Sequence, residues 1–176
     1  MANRNSAGWG FRPAGTLGNV PATQGLSQYW IDAGASVNLF HGMAMKSSGG
    51  YMITGESATT VTTIGVLQGI YYNAATTLKP TWAHWYDATI TPANSEDTQA
   101  FVNDYPFQKY TIASDAAVDS TVPAAHVLFM ETFSVTANTG GSTSTGKSST
   151  TLDIAATNAT THSWRLLRSA EEVENN

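Results

Sequence analysis

Residues 140–150 read GGSTSTGKSST, and Gly141, Gly146, Lys147 and Ser148 fill every fixed position of the phosphate-loop pattern G-x-x-x-x-G-K-[ST]. In a working loop of that kind a buried strand feeds glycine-rich backbone whose amides cradle phosphate. The residues that follow start a helix whose N-terminal dipole favours the anion. Here VLFMETFSV (127–135) could supply the strand, but STTLDIAATNATTHSW follows, with Thr150, Thr151, Ile154, Thr157, Thr160 and Thr161 favouring strand over helix. The match is therefore expected to be a polar loop between two β elements, with Lys147 as an exposed charge near its end.

The other chemistry-bearing residues are sparse. His41, His84, His126 and His162 lie far apart in sequence, without the short-range pairing that usually anchors a zinc site. Glu96-Asp97 and Glu171-Glu172 fall in turn-like or terminal sequence, whereas acid–base catalysis needs a rigid, partly buried pair. There is no G-x-S-x-G nucleophile motif, no loop of closely spaced acids for calcium and no cysteine. Asn158-Ala159-Thr160 spells a glycosylation sequon, but MANRNSAGWGFRPAG lacks the apolar run of a secretory signal. The expectation is a protein that is not an enzyme, with no catalytic residue, cofactor or metal, made in the cytoplasm and not inserted in a membrane.

Elements of one kind must carry these residues. Thr, Val, Ile, Tyr and Phe are abundant, in short runs broken by Gly, Asn, Asp or Pro. QYWI, SVNLF, GMAMK, GYMIT, TTVTTIGVLQGIYY, FQKYTIA, VLFMETFSV, TTLDI and SWRLL are predicted strands. VLFMETFSV places Val127, Phe129, Glu131, Phe133 and Val135 on one face and Leu128, Met130, Thr132 and Ser134 on the other. No window keeps helical apolar spacing, and only 115–125 and the terminal SAEEVE leave room for a turn or two of helix. The fold class is all-β, an antiparallel β-barrel or jelly-roll-like sandwich with little helix. Residues 1–25 form an extended N-terminal arm, 26–170 a single β domain and 171–176 an acidic tail.

The arm holds Arg4, Trp9, Phe11 and Arg12, with no acid before Asp32. Either it is a loose terminus, or it docks on a partner through Trp and Arg, the side chains most often found as interface anchors. Trp82, Trp85 and Tyr86 could stack on a sugar or a neighbouring subunit, or could fill the protein's own core. Charged residues make up only 12% of the chain and the net charge is −5. That excludes the basic footprint of a nucleic-acid binder and suits a subunit packed against others.

Taken in order, GFRPAGTLGN, SQYWIDAGASVNLFHGMAMK, TIGVLQGIYY, QAFVNDYPFQKYTIASD, TGGSTSTGKSSTTLD and SWRLLRSAEE resemble a family of tailed-bacteriophage capsid cement or decoration proteins, the auxiliary head proteins. The resemblance runs from about Gly10 to Glu171. In that family the fourth block carries a more acidic turn before its strand, which Asn103, Asp104, Tyr105 and Pro106 keep with less charge. It implies a virion structural protein on the outer surface of an icosahedral head. There it would bind the major capsid protein at junctions between subunits and stabilise the shell against internal DNA pressure. The partners implied are the capsid protein and further copies of the chain, a homotrimer before a dimer, with no direct nucleic acid. The arm bearing Arg4, Trp9, Phe11 and Arg12 would lie along the shell. A tail or fibre-base protein, and a carbohydrate-binding β module, are the alternatives.

Overall fold

The computed structural model describes residues 8–18, 25–55, 63–116, 128–136, 138–157 and 162–168. Eleven strands lie among them: β1 (Arg12–Thr16), β2 (Leu26–Ile31), β3 (Ala44–Ser48), β4 (Tyr51–Thr54), β5 (Gly65–Asn73), β6 (Pro80–Ala83), β7 (Thr98–Asn103), β8 (Gln108–Thr111), β9 (Thr132–Thr136), β10 (Thr151–Thr157) and β11 (Trp164–Arg165). Their ladders are all antiparallel. The chain is nearly all β, as its composition of β-branched and aromatic runs dictates. The expected helical turn at 115–125 and the acidic tail at 171–176 lie largely or wholly outside the described residues, as do Arg4, His126 and Asn158.

A six-stranded sheet ordered β2-β7-β5-β3-β4, with β6 paired to β5, forms the main layer. Its tightest connection is Ser48-Gly49-Gly50-Tyr51, where Ser48 pairs with Tyr51 across the two glycines. Both glycines have positive φ, 59° and 92°, as a two-residue hairpin turn that follows the strand twist requires. The sheet curls so that β4 packs near β2, where Asp97 spans the seam. Its carboxylate accepts the Ala33 N–H (3.0 Å) and the Tyr51 hydroxyl (3.2 Å). Among the described residues no ladder joins β2 to β4, so of the two all-β forms expected the structure is consistent with the sandwich and shows no closed barrel.

Inside the curl lies the larger core, built on Ile31, Leu39, Met45, Met52, Leu67, Ile70 and Val102. SVNLF is not a strand: only Leu39 makes a bridge, to Tyr86, while Leu39 and Phe40 both turn inward. TQAFVN, absent from the expected strands, becomes β7 at the centre of the sheet. Thr98, Ala100 and Val102 are buried there, and Gln99 and Phe101 alternate with them on the other face.

Two smaller sheets, β1-β8 and β10-β9-β11, complete the structure. A second core joins Phe11, Val135, Tyr110, Ile112 and Trp164 to Ala44 and Val66 of the main sheet. Strands β3 and β5 are thus covered on both faces at their Ala44 and Val66 ends. Val127 lies outside the described residues, and from Leu128 on VLFMETFSV is strand only from Thr132. Met130 has φ 69°, and a left-handed residue there breaks the alternation expected over 128–131. Within β9, Phe133, Ser134 and Val135 are all buried, so both faces of that part are covered as expected.

Asn138 fastens the layers together. Its Oδ1 accepts the Ala44 N–H (3.0 Å) and the Thr150 hydroxyl (2.9 Å), and its Nδ2 donates to the Ala44 carbonyl (2.9 Å) and the Gly55 carbonyl. A fully buried amide is tolerated because donors and acceptors alike are satisfied.

Candidate functional site

The phosphate-loop lookalike is a self-bonded hairpin. Gly146 N–H donates to the Ser142 carbonyl (2.6 Å), Ser142 N–H donates to Lys147 (2.9 Å), and Gly141 pairs with Ser148. These amides are engaged by the loop's own carbonyls, so they do not form a cradle open to an anion. The Ser148 hydroxyl, which would face a metal in a working loop, is buried against Thr150 Oγ1 at 2.5 Å. Strand β10 follows at Thr151, where a phosphate loop needs a helix. Lys147 is exposed, as expected from its place in the loop.

The hairpin docks on His41 and His84, which the fold brings together although the sequence separates them. Their ring centroids are 6.3 Å apart. His41 Nδ1 lies 3.0 Å from the Gln68 carbonyl and His84 Nε2 lies 2.7 Å from the Thr145 carbonyl, so each ring donates through that nitrogen. Burial first, then the neighbouring His84, Lys147 and Arg12, holds the His41 imidazole below the ordinary histidine range. Among the described residues, no three His, Asp or Glu side chains converge as a metal set. Among them, too, no helix is long and apolar enough to cross a membrane.

The arm residues part company. Phe11, only 2% exposed, stacks on Trp164 at 4.1 Å and meets Tyr110 edge-on at 5.6 Å. Its backbone N–H bonds the Gly42 carbonyl (2.8 Å), and Gly10 N–H bonds Thr150 (3.2 Å). In this structure Phe11 is therefore a core residue, and the stretch from Gly10 through β1 is built into the fold. Arg12 stays on the surface with its guanidinium 5.1 Å from the Trp9 ring centroid. Beyond them the β1-β8 ribbon ends in Leu17 and Phe107, both exposed and joined by a Leu17 N–H to Phe107 carbonyl bond of 2.8 Å.

Trp82, Trp85 and Tyr86 do not form one platform. Tyr86 is 1% exposed in the main core, and Trp85 stacks on Phe40 at 5.2 Å. Trp82, 67% exposed, stands on the opposite face with Tyr71 (4.7 Å) and Phe101 (5.1 Å).

Register explains this grouping. Trp30 pairs with Gln99, Gln99 with Tyr71 and Tyr71 with Trp82, so one row crosses β2, β7, β5 and β6 on a single face. Val66 and Asn103 belong to the same face one end over, where the second core covers them. The face is thus covered at one end and open at the other. At the open end, Trp30, Tyr51, Tyr71, Asp97 and Gln99 are among the residues bounding a groove of about 550 Å³. Sequence reasoning missed Trp30, Tyr71 and Gln99, because only the strand pairing makes them neighbours. No family model matches the chain, and no curated protein or solved structure matches it.

Proposed function

We propose that this chain is a structural subunit of a tailed-phage virion. It is a cement protein at junctions between major capsid subunits on the outer surface of the head, and it self-associates, as a trimer before a dimer. The observation that carries this reading is the β1-β8 ribbon. It sets Arg12, against Trp9, at one end and exposed Leu17 and Phe107 at the other, on a chain with 12% charged residues. Arg and aromatic anchors on a charge-poor surface suit the core of a lasting interface. The order of the sequence blocks, from GFRPAGTLGN to SWRLLRSAEE, adds to it. Holding strength would come from many such contacts engaged at once across a shell.

The test is cosedimentation with empty capsids of the same virus, with occupancy imaged by electron microscopy. Arg12→Ala combined with Phe107→Ala should reduce head occupancy while the protein stays folded. A truncation should remove residues 1–7 only, because Phe11 belongs to the core. Density on the tail, or full occupancy by the double variant, overturns the assignment. Light scattering of the free protein reads the trimer directly.

A further inference from the structure

We propose that the groove at the open end of the main sheet binds a neutral oligosaccharide. Its floor is the row Trp30–Gln99–Tyr71, and Trp82 extends that row outward. Trp30 is 48% exposed, a large apolar surface left in water beside polar groups. Trp30 and Tyr71 stand two strand spacings apart, about 10 Å. Each can take the apolar face of a different sugar ring while Gln99, between them, meets the hydroxyls where the rings join.

The polar groups narrow the ligand. Asp97 is held rigidly by the Ala33 N–H and the Tyr51 hydroxyl, and its oxygens keep lone pairs to accept further hydrogen bonds. Among the described residues, no hydrogen bond uses the side-chain amides of Gln99 and Asn73, which can both donate and accept. A ligand that satisfies carboxylate acceptors and amide donors together must itself donate and accept at short intervals, as vicinal hydroxyls do. An ammonium group only donates and would leave the amide N–H groups without a use. No Lys or Arg is among the described lining residues, which disfavours phosphate or an acidic glycan. The volume of about 550 Å³ lies within the range of small-ligand sites.

The experiment presents the full-length protein to an array of neutral and acidic glycans. The best neutral hit is then titrated as a soluble oligosaccharide by tryptophan fluorescence at low and high salt, with poly-lysine as the cationic probe. The expected result is binding of a neutral glycan that salt leaves unchanged, weakened about tenfold or more by Trp30→Ala and by Gln99→Leu. Met130→Ala, on an exposed residue elsewhere, should leave it intact. Urea midpoints close to that of the parent protein establish that the two groove variants are folded. No neutral glycan bound, binding that survives Trp30→Ala, or poly-lysine bound in the groove in place of sugar each overturns the proposal. The measurement needs no capsid, so its outcome is separate from that of the head assignment.

Discussion

Replacing Phe11 with alanine separates an arm that belongs to the core from one that only lies on it. The side chain is 2% exposed, stacked on Trp164 at 4.1 Å and edge-on to Tyr110 at 5.6 Å. Truncating a buried Phe costs about 3–5 kcal/mol, and two well-placed aromatic contacts argue for the middle of that range, about 4 kcal/mol. Against a total stability of roughly 5–15 kcal/mol the fold should become marginal. With a urea dependence of about 2 kcal/mol per molar, the unfolding midpoint should fall by roughly 2 M with an unchanged slope. Arg12→Ala, one residue along on the surface, loses only its contact with the Trp9 ring and should cost about 0.5–1 kcal/mol. Equilibrium urea unfolding followed by tryptophan fluorescence and by circular dichroism measures both variants. If Phe11→Ala shifts the midpoint no more than Arg12→Ala does, the segment is not part of the core and the argument fails.

Asn138→Ala strips partners from the Ala44 amide and carbonyl, the Gly55 carbonyl and the Thr150 hydroxyl, so a loss of about 3 kcal/mol or more is expected in the same urea assay. Gly146 has φ 66°, and a Cβ there would run into Trp85 and His84. Gly146→Ala should therefore cost about 2 kcal/mol or more, seen as a Tm lower by roughly 4–8 °C. The His41 imidazole resists protonation in the folded chain but titrates near 6.5 when unfolded, so below that pH the unfolded state binds more protons. Stability should be full above about pH 6.5 and fall as pH drops toward 5, and His41→Gln should flatten that part of a urea-midpoint profile. Adding ATP or GTP with magnesium should leave Tm unchanged, whereas a rise would revive the phosphate loop.

What the sequence disclosed was local. GMAMK and GYMIT read as separate short strands, and the structure pairs β3 with β4 there, across Gly49-Gly50. The threonines after Ser148 call for a strand, and β10 is there. Other features depend on long-range packing. Phe11 in a glycine-rich stretch looks like a docking anchor, and nothing local says that its pocket is made by Trp164 and Tyr110 of the same chain. The regular alternation through Met130 could not reveal a residue with positive φ. Trp82, Trp85 and Tyr86 look like one cluster in the chain, yet they point to different sides once Tyr86 pairs with Leu39. The row Trp30–Gln99–Tyr71 depends on register across three strands, which is fixed by the whole sheet.

The pairing of β1 with β8 also sets an order of events during synthesis. The main sheet is complete once Asn103 has left the ribosome, so it can curl around Met45, Leu67 and Val102 while later residues are still being made. Phe11 precedes both of the rings that enclose it, so it must wait for Tyr110 and then for the still later Trp164. For that interval Val66 and Ala44 lack the side chains that cover them in the finished fold, and Phe11 lacks its pocket. A nascent chain stalled just after Asn103 should accordingly be caught by chaperones that a finished one escapes.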